Sequence, residues 1–129
     1  MSTNLLSPLG AHPTAQYSVA SIWRSMTNAS PALAWTGALL VLCSCVTAML
    51  PLLDARLFQG VSVWLKPWKF QFSVGTYLLT LALFLVWLQE LPKRSLAKRF
   101  IVWAGIVGGL FEVLYITWQG ALGLASHFN

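Results

Sequence analysis

Three long apolar runs, separated by short charged segments, constrain this chain more than any other feature of its sequence. They cover residues 32–53, 70–91 and 100–125. An α-helix needs about 20 apolar residues to cross the ~30 Å hydrocarbon core of a bilayer, and each run meets that length. Backbone groups inside a bilayer must bond within their own segment, so each run is predicted to be helical. We expect an all-α integral membrane protein with three transmembrane helices.

Composition excludes a soluble domain. Charged residues make up only 9% of the 129 residues, against roughly 25% in ordinary globular domains. A soluble fold with so few charges would lack the polar groups that cover a surface. The net charge of +5 is carried by short segments between the apolar runs, where it indicates topology and contact with lipid headgroups. The lipid bilayer is therefore an expected partner, and nucleic acid is not.

Residues 1–30 are predicted to form an N-terminal segment ahead of a transmembrane domain at 31–129. No short apolar stretch with a cleavage site follows a basic start, so we expect no cleaved signal peptide. Apolar side chains recur at helical spacing at Val19, Ile22, Trp23 and Met26. That spacing predicts a short amphipathic interfacial helix, which lies on the membrane surface or else packs against other protein.

Prolines mark the ends of the apolar runs. Ser30 and Pro31 suit the start of the first span, with serine as the cap and proline as the first helical residue. Pro51 is expected to bend or end the first helix, and Pro92 is expected to stop the second.

The basic residues predict how the chain crosses the membrane. The segment between the second and third runs holds four of them, Lys93, Arg94, Lys98 and Arg99. By the positive-inside rule this segment is cytoplasmic, so the N-terminus is expected inside and the C-terminus outside. With Arg24, the inner side carries five Lys and Arg residues, whereas the outer side carries three.

The third run contains the most informative polar residue, Glu112. A carboxylate at that depth costs several kcal/mol unless it is protonated, paired or hydrated. Small and polar residues share its helix face, namely Gly105, Gly108, Gly109, Tyr115 and Gln119. The glycines are predicted to pack against another helix, and the same contact would carry Glu112 into a protein interior. Two interpretations remain open: a proton-relay or ligand-binding carboxylate, and a structural residue hydrogen-bonded to a neighbouring helix.

The second run offers a matching polar face. Lys69, Ser73, Thr76 and Thr80 recur at helical spacing along it. Glu112 and Thr80 lie at similar depths, so the two faces are expected to meet in one polar intramembrane cluster. The alternative is that the serine and threonines serve only to pack helices together.

Charged residues between the first two runs form a third candidate element: Asp54, Arg56 and Lys66, with Lys69 beside them. In one interpretation the lysines present cations to an anionic ligand or to Glu112. In the other, they contact headgroups while Asp54 and Arg56 pair at a helix end. His12 and His127 lie far apart, and no zinc spacing or cofactor motif occurs, so neither a metal site nor a cofactor is expected.

These features favour a non-enzymatic membrane subunit or oligomeric component whose polar face, centred on Glu112, contacts other helices. The partner is expected to be a second copy or another membrane subunit, because three spans without an internal repeat are few for a transporter. The alternative is a proton- or solute-translocating component that uses Glu112. A membrane-embedded lipid-modifying enzyme is the weakest hypothesis, since acid–base work would rest on Asp54 or Glu112 alone.

Several of these residues belong to four short sequence motifs. The motifs are Asp54-Ala55-Arg56, Trp64-Leu65-Lys66-Pro67-Trp68-Lys69-Phe70 with Ser73 and Tyr77, Glu112 with Tyr115-Ile116 and Gln119, and Ser126-His127-Phe128-Asn129. In these motifs, residues 54–129 resemble a family of uncharacterised bacterial polytopic membrane proteins that share W-x-K-P-x-K-F and S-H-F-N elements. The resemblance implies a bacterial inner membrane and no particular activity. It also implies further spans after S-H-F-N, so this is expected to be a shortened member or a fragment.

Overall fold

The computed structural model of the chain describes residues 18–88 and 95–124, which form four α-helices and one small hairpin. The first helix, α1, is short, and the other three are long and apolar enough to cross a membrane. This confirms the predicted all-α class with three transmembrane helices. The elements in chain order are α1 (Val19–Ala29), α2 (Pro31–Met49) with a 3₁₀ turn (Leu50–Leu52), β1 (Leu57–Phe58), β2 (Val61–Ser62), α3 (Leu65–Trp87) and α4 (Leu96–Leu122).

The three long helices pack as antiparallel neighbours. A Cβ built on Gly120, near the end of α4, would lie 2.7 Å from Pro67 in the first turns of α3, and one built on Gly109 would lie 2.7 Å from Val74. The end of α2 likewise lies beside the start of α3. The hairpin, the start of α3 and the end of α4 therefore share one end of the bundle, called here the hairpin end. The α1 end lies opposite.

Most of the surface of the long helices is apolar and exposed. Only 22–33% of the residues in each span are buried within the bundle, and large side chains such as Leu42, Phe84 and Trp118 point outward. The buried apolar cluster lies nearer the α1 end, where Leu33 and Leu78 are completely buried. An exterior of this kind suits hydrocarbon, because water would penalise so much exposed apolar surface.

The amphipathic helix predicted before the first span is present as α1, and it packs on α2 and α3. Met26 is buried, and the Trp23 ring meets the Trp35 ring edge to face with centroids 5.3 Å apart. Of the two predicted interpretations, α1 fits packing against protein, although Val19 remains exposed. The Ser30 hydroxyl oxygen accepts a hydrogen bond from the Leu33 amide at 3.5 Å, as its predicted capping role requires.

The helix of the second predicted span, 70–91, begins before residue 70. α3 starts at Leu65, so Lys66, Pro67 and Lys69 belong to its first two turns and not to a loop. Pro67 is tolerated there because the amides of the first turn have no partner within the helix. The helix of the third predicted span, α4, likewise begins before residue 100, at Leu96.

The helix of the first span, α2, ends in the 3₁₀ turn at Pro51, as expected. Several sequence predictions fall outside the described residues: the ends of the second and third spans at 91 and 125, the stop at Pro92, the basic pair Lys93 and Arg94, and the terminal S-H-F-N element.

Candidate functional site

Asp54 and Arg56 form a charged clasp at the hairpin end. The Arg56 guanidinium donates to both carboxylate oxygens of Asp54, with its Nη2 2.7 Å from Oδ2, and the Trp64 indole N–H donates to Oδ2 at 2.8 Å. The remaining guanidinium nitrogen of Arg56, Nη1, donates to the backbone carbonyl of Ala121 at 3.1 Å. The ion pair therefore lies at a helix end, where a cation complements the exposed carbonyls of the last turn of α4.

The clasp sets the protonation of Asp54. Hydrogen bonds from Arg56 and then from Trp64 hold the pKa of the Asp54 carboxyl well below its usual range. The same contacts with Asp54 raise the pKa of Arg56. Both groups therefore stay charged at neutral pH, and Asp54 cannot serve there as a proton donor.

A two-residue turn makes the hairpin beside the clasp. Gln59 and Gly60 both have positive φ angles, 53° and 81°, which matches the twist that two-residue hairpins prefer. Phe58 pairs with Val61 across it. Sequence reasoning missed this hairpin, because glutamine before glycine is a weaker turn pattern than asparagine before glycine.

Lys66 and Lys69 line a cavity of about 360 Å³ between the hairpin, the start of α3 and the end of α4. Its walls are mostly apolar, with Val61 and Phe58 from the hairpin and Ile116 from α4. Lys66 is half-buried and Lys69 is exposed. The cavity brings these two predicted site residues together but contains neither Asp54 nor Arg56.

Glu112 borders a separate open groove of about 620 Å³ between α3 and α4. Ser73 and Tyr77 of α3 line the same groove, so part of the predicted meeting of polar faces occurs there. The other lining residues are Phe70, Val74, Phe100, Ile101, Ala104, Gly105 and Gly109. Phe70 also lines the lysine cavity and so stands between the two spaces.

The expectation that packing of the glycine face would carry Glu112 into a protein interior is not met within the described residues, where its side chain is exposed. Gly105 and Gly109 do face α3. Consecutive helical residues are rotated by about 100°, so Glu112 lies about 20° from Gly105 and about 40° from Gly108 around the helix. Gly108 has no atom within 4 Å of an added Cβ, so Glu112 stands between the side of α4 that faces α3 and the open side.

Thr76 and Thr80 do not line the Glu112 groove. Both are exposed, and the Thr80 hydroxyl donates to the Thr76 carbonyl within α3 at 2.8 Å. The groove is flanked by Tyr77, which is one residue and about 100° around the helix from Thr76. Of the predicted stripe, only Ser73 lies beside Glu112, while Lys69 lines the lysine cavity.

The other two α4 residues of the predicted polar cluster, Tyr115 and Gln119, have different surroundings. Tyr115 is 38% exposed. The side-chain carbonyl oxygen of Gln119 is buried and accepts no hydrogen bond from any residue that the structure describes. A buried acceptor without a donor costs about 1–3 kcal/mol.

A buried amide that the sequence analysis missed connects the three spans. The Thr47 hydroxyl of α2 donates to Gln71 Oε1 at 2.7 Å, and Gln71 Nε2 donates to the Thr117 hydroxyl of α4 at 3.3 Å. Gln71 carries the one side-chain amide in α3, a mostly apolar helix. An amide in such a place usually has a buried hydrogen-bond partner, and this was the signal in the sequence that could have predicted the contact.

Within the described ranges, 18–88 and 95–124, no three His, Cys, Asp or Glu side chains come together to hold a metal ion. Comparisons of the chain with protein-family models, curated proteins and solved structures find no match. The fold is that of a small helical bundle with three candidate membrane spans, as in multi-pass membrane proteins.

Proposed function

We propose that the chain is a non-enzymatic membrane subunit that assembles through the outward face of α4, with a second copy of itself as the partner. The observation that carries the proposal is the exposure of Glu112. It lies ten residues before the last residue of α4, Leu122, about 15 Å along the helix and so deep in the span. Among residues 18–88 and 95–124, no side chain pairs with its carboxylate.

An exposed carboxylate at this depth requires a partner. Placing a charged residue at the centre of a transmembrane helix costs about 2.5–3.5 kcal/mol on insertion scales. The cost falls when the group is protonated or hydrogen-bonded to a neighbouring helix. Since no side chain in the described part of the chain bonds to Glu112, contact with a helix from outside it would remove the penalty.

The open face of α4 suits a second α4 helix. Gly108 precedes Glu112 by one turn on nearly the same side, and a Cβ at Gly108 would meet nothing. Small residues let transmembrane helices approach closely. In a two-fold pair the same patch meets itself, so Gly108 would allow the approach and the two Glu112 carboxyl groups would hydrogen-bond in protonated form.

We also propose the bacterial inner membrane as the location, with the N-terminus inside and the C-terminus outside. The support is the distribution of Lys and Arg. The α1 end carries Arg24, Lys98 and Arg99, with Lys93 and Arg94 just before the last two in the sequence, and the hairpin end carries Arg56, Lys66 and Lys69. The clasp with Asp54 neutralises one of the three cations at the hairpin end.

The test is the native mass of the purified chain in mild detergent. We expect a multiple of 14.2 kDa for the wild type, and a monomer for Gly108→Leu and for Glu112→Ala. Gly108→Leu fills open space, so it separates loss of assembly from loss of folding. Leu114→Ala, on an exposed part of α4 outside the groove, is the matched control and should assemble normally.

Two results would contradict this assembly. One is a wild-type monomer. The other is a complex that survives both α4 substitutions. A complex that contains a different subunit and still depends on Gly108 and Glu112 would keep the role of the face and replace the second copy as partner.

A second candidate function, proton or solute translocation, is favoured by the shared groove of Glu112, Ser73 and Tyr77. A mid-span carboxylate beside hydroxyl-bearing side chains is an arrangement that proton pathways use. Glu112→Gln should abolish a proton- or solute-dependent flux in proteoliposomes while the protein stays folded, and unchanged flux would end this proposal. A lipid-modifying enzyme gains no support from the geometry, because the clasp engages Asp54.

A further inference from the structure

The lysine cavity combines two cations with an apolar wall. Lys66 and Lys69 come from the first two turns of α3, while Val61 of the hairpin and Ile116 of α4 close the opposite sides. At about 360 Å³ the cavity lies near the lower end of the range for small-molecule sites, roughly 300–1,000 Å³. That size suits a headgroup and the first part of an attached chain.

The charge balance around this cavity favours an anion. The hairpin end carries Arg56, Lys66 and Lys69, and Asp54 is the acidic residue beside them. The Asp54 carboxylate is satisfied by Arg56 and by the Trp64 indole. No acidic side chain within the described ranges forms an ion pair with Lys69. The charge of Lys69 therefore has no acidic partner among these residues, and Lys66 adds a second cation to the wall of the cavity.

The depth of the cavity favours a lipid over a free ion. It lies at the end of the spans, where Trp64 and Trp68 flank the start of α3, and tryptophans concentrate at the headgroup level of a bilayer. A free phosphate would leave the apolar wall unused. A lipid can place its phosphate between the lysines and its glycerol and upper chain against Phe58 and Ile116.

We propose that this cavity is a binding site for an anionic phospholipid, whose phosphate is held by Lys66 and Lys69. The site is distinct from the Glu112 groove, since neither lysine lines that groove. It therefore stands independently of the proposed assembly through α4. Each lysine near an anionic headgroup contributes about fivefold to the attraction, so the pair should contribute about 25-fold.

The experiment is native mass spectrometry of the whole chain in mild detergent, titrated with phosphatidylglycerol or with phosphatidylcholine carrying the same acyl chains. The test variant is Lys66→Gln with Lys69→Gln. The control is Lys98→Gln with Arg99→Gln in the first turns of α4, which removes the same charge from the other end of the bundle. Lys69→Gln alone, at an exposed position, is the second variant if the double substitution fails to fold.

We expect wild type and control to retain phosphatidylglycerol at least tenfold better than phosphatidylcholine. The double variant should lose that preference, and Lys69→Gln should lose about fivefold. Equal retention of both lipids by the wild type would overturn the proposal. An equal loss of the preference in the control would also overturn it, because it would indicate general attraction between charges. Displacement of the lipid by millimolar inorganic phosphate would overturn it too, because it would indicate a simple anion site.

Discussion

Gly37 and Gly75 bring the backbones of α2 and α3 into contact, since a Cβ built on either glycine would lie 2.9 Å from the carbonyl oxygen of the other. Lipid provides no hydrophobic drive for helices to associate, so tight packing and close backbone approach must provide the attraction. This pair fixes the distance between the first two spans.

Replacing Gly75 with alanine is expected to destabilise the bundle. The added methyl would meet the Gly37 carbonyl oxygen and the backbone of Val41 at 2.9 Å, and backbone cannot move aside cheaply. Overpacking of this kind costs about 1–3 kcal/mol, measured as the free energy of unfolding in detergent followed by circular dichroism.

Gly105→Ala is the matched control for that substitution. Its Cβ would lie 3.3 Å from the flexible tip of Leu81, so we expect a smaller loss in the free energy of unfolding. The better helix propensity of alanine should offset part of that loss. An equal or larger loss at Gly105 would contradict the contact between α2 and α3.

Replacing Gln71 with alanine should weaken the contact among all three spans. The substitution removes the bonds to Thr47 and Thr117. Hydrogen bonds between transmembrane helices contribute about 0.6 kcal/mol each on average, so we expect a loss of about 1 kcal/mol in the free energy of unfolding. In the variant the Thr47 hydroxyl can donate its proton to the Cys43 carbonyl instead, which limits the penalty.

Thr80→Ala controls for the loss of a polar group from α3. Thr80 is exposed and bonds only within its own helix, so its replacement should leave stability nearly unchanged. If the two variants behave alike, Gln71 does not connect the spans in the way that its contacts indicate.

The clasp predicts a dependence of stability on pH. Because the pKa of Asp54 is held below its ordinary value of 3.8, the folded state favours the ionised carboxylate. Its contribution is complete above the unfolded pKa and is lost as the pH falls through the folded pKa. We expect the wild type to exceed Asp54→Asn in thermal midpoint by a constant amount above about pH 5, and that difference to shrink below the ordinary carboxyl pKa.

Melting curves of both proteins from pH 6 to lower values provide the measurement. The difference between the two curves isolates Asp54, because the other titrating groups are common to both proteins. A difference that stays constant to the lowest pH, or that grows as the pH falls, would show that the clasp does not stabilise the folded state.

The class of fold could be predicted from the sequence because a bilayer imposes one length on every spanning helix. The first and last residues of the helices were harder to predict. Pro67 marked an apparent loop, yet a proline in the first turn of a helix costs little, so α3 begins at Leu65. The contact of Gly109 with α3 followed from a spacing within one helix. The pairing of Gly37 with Gly75 joins two helices, and no spacing along the chain specifies it.

Only part of the candidate site could be predicted, because the sequence does not specify how each helix is rotated about its own axis. Ser73 and Glu112 were expected at one polar face and do line one groove. Thr76 was expected there too, but helical spacing gives only the relative angle of residues and not which angle faces α4. The rotation of α3 is set by its buried side, where Gln71 and Leu78 lie, and that side turns Thr76 outward.

The clasp also has a temporal aspect during synthesis. Asp54 and Arg56 are two residues apart and can pair as soon as the first span has been made. The bond from Arg56 to the Ala121 carbonyl joins residues 65 positions apart, so it must wait for the last helix. In the folded protein the guanidinium bonds Asp54 through Nε and Nη2 and keeps Nη1 for the α4 carbonyl. One arginine thus takes part in a contact that can form early and in one that can form only late, and it ties the end of the first span to the end of the last.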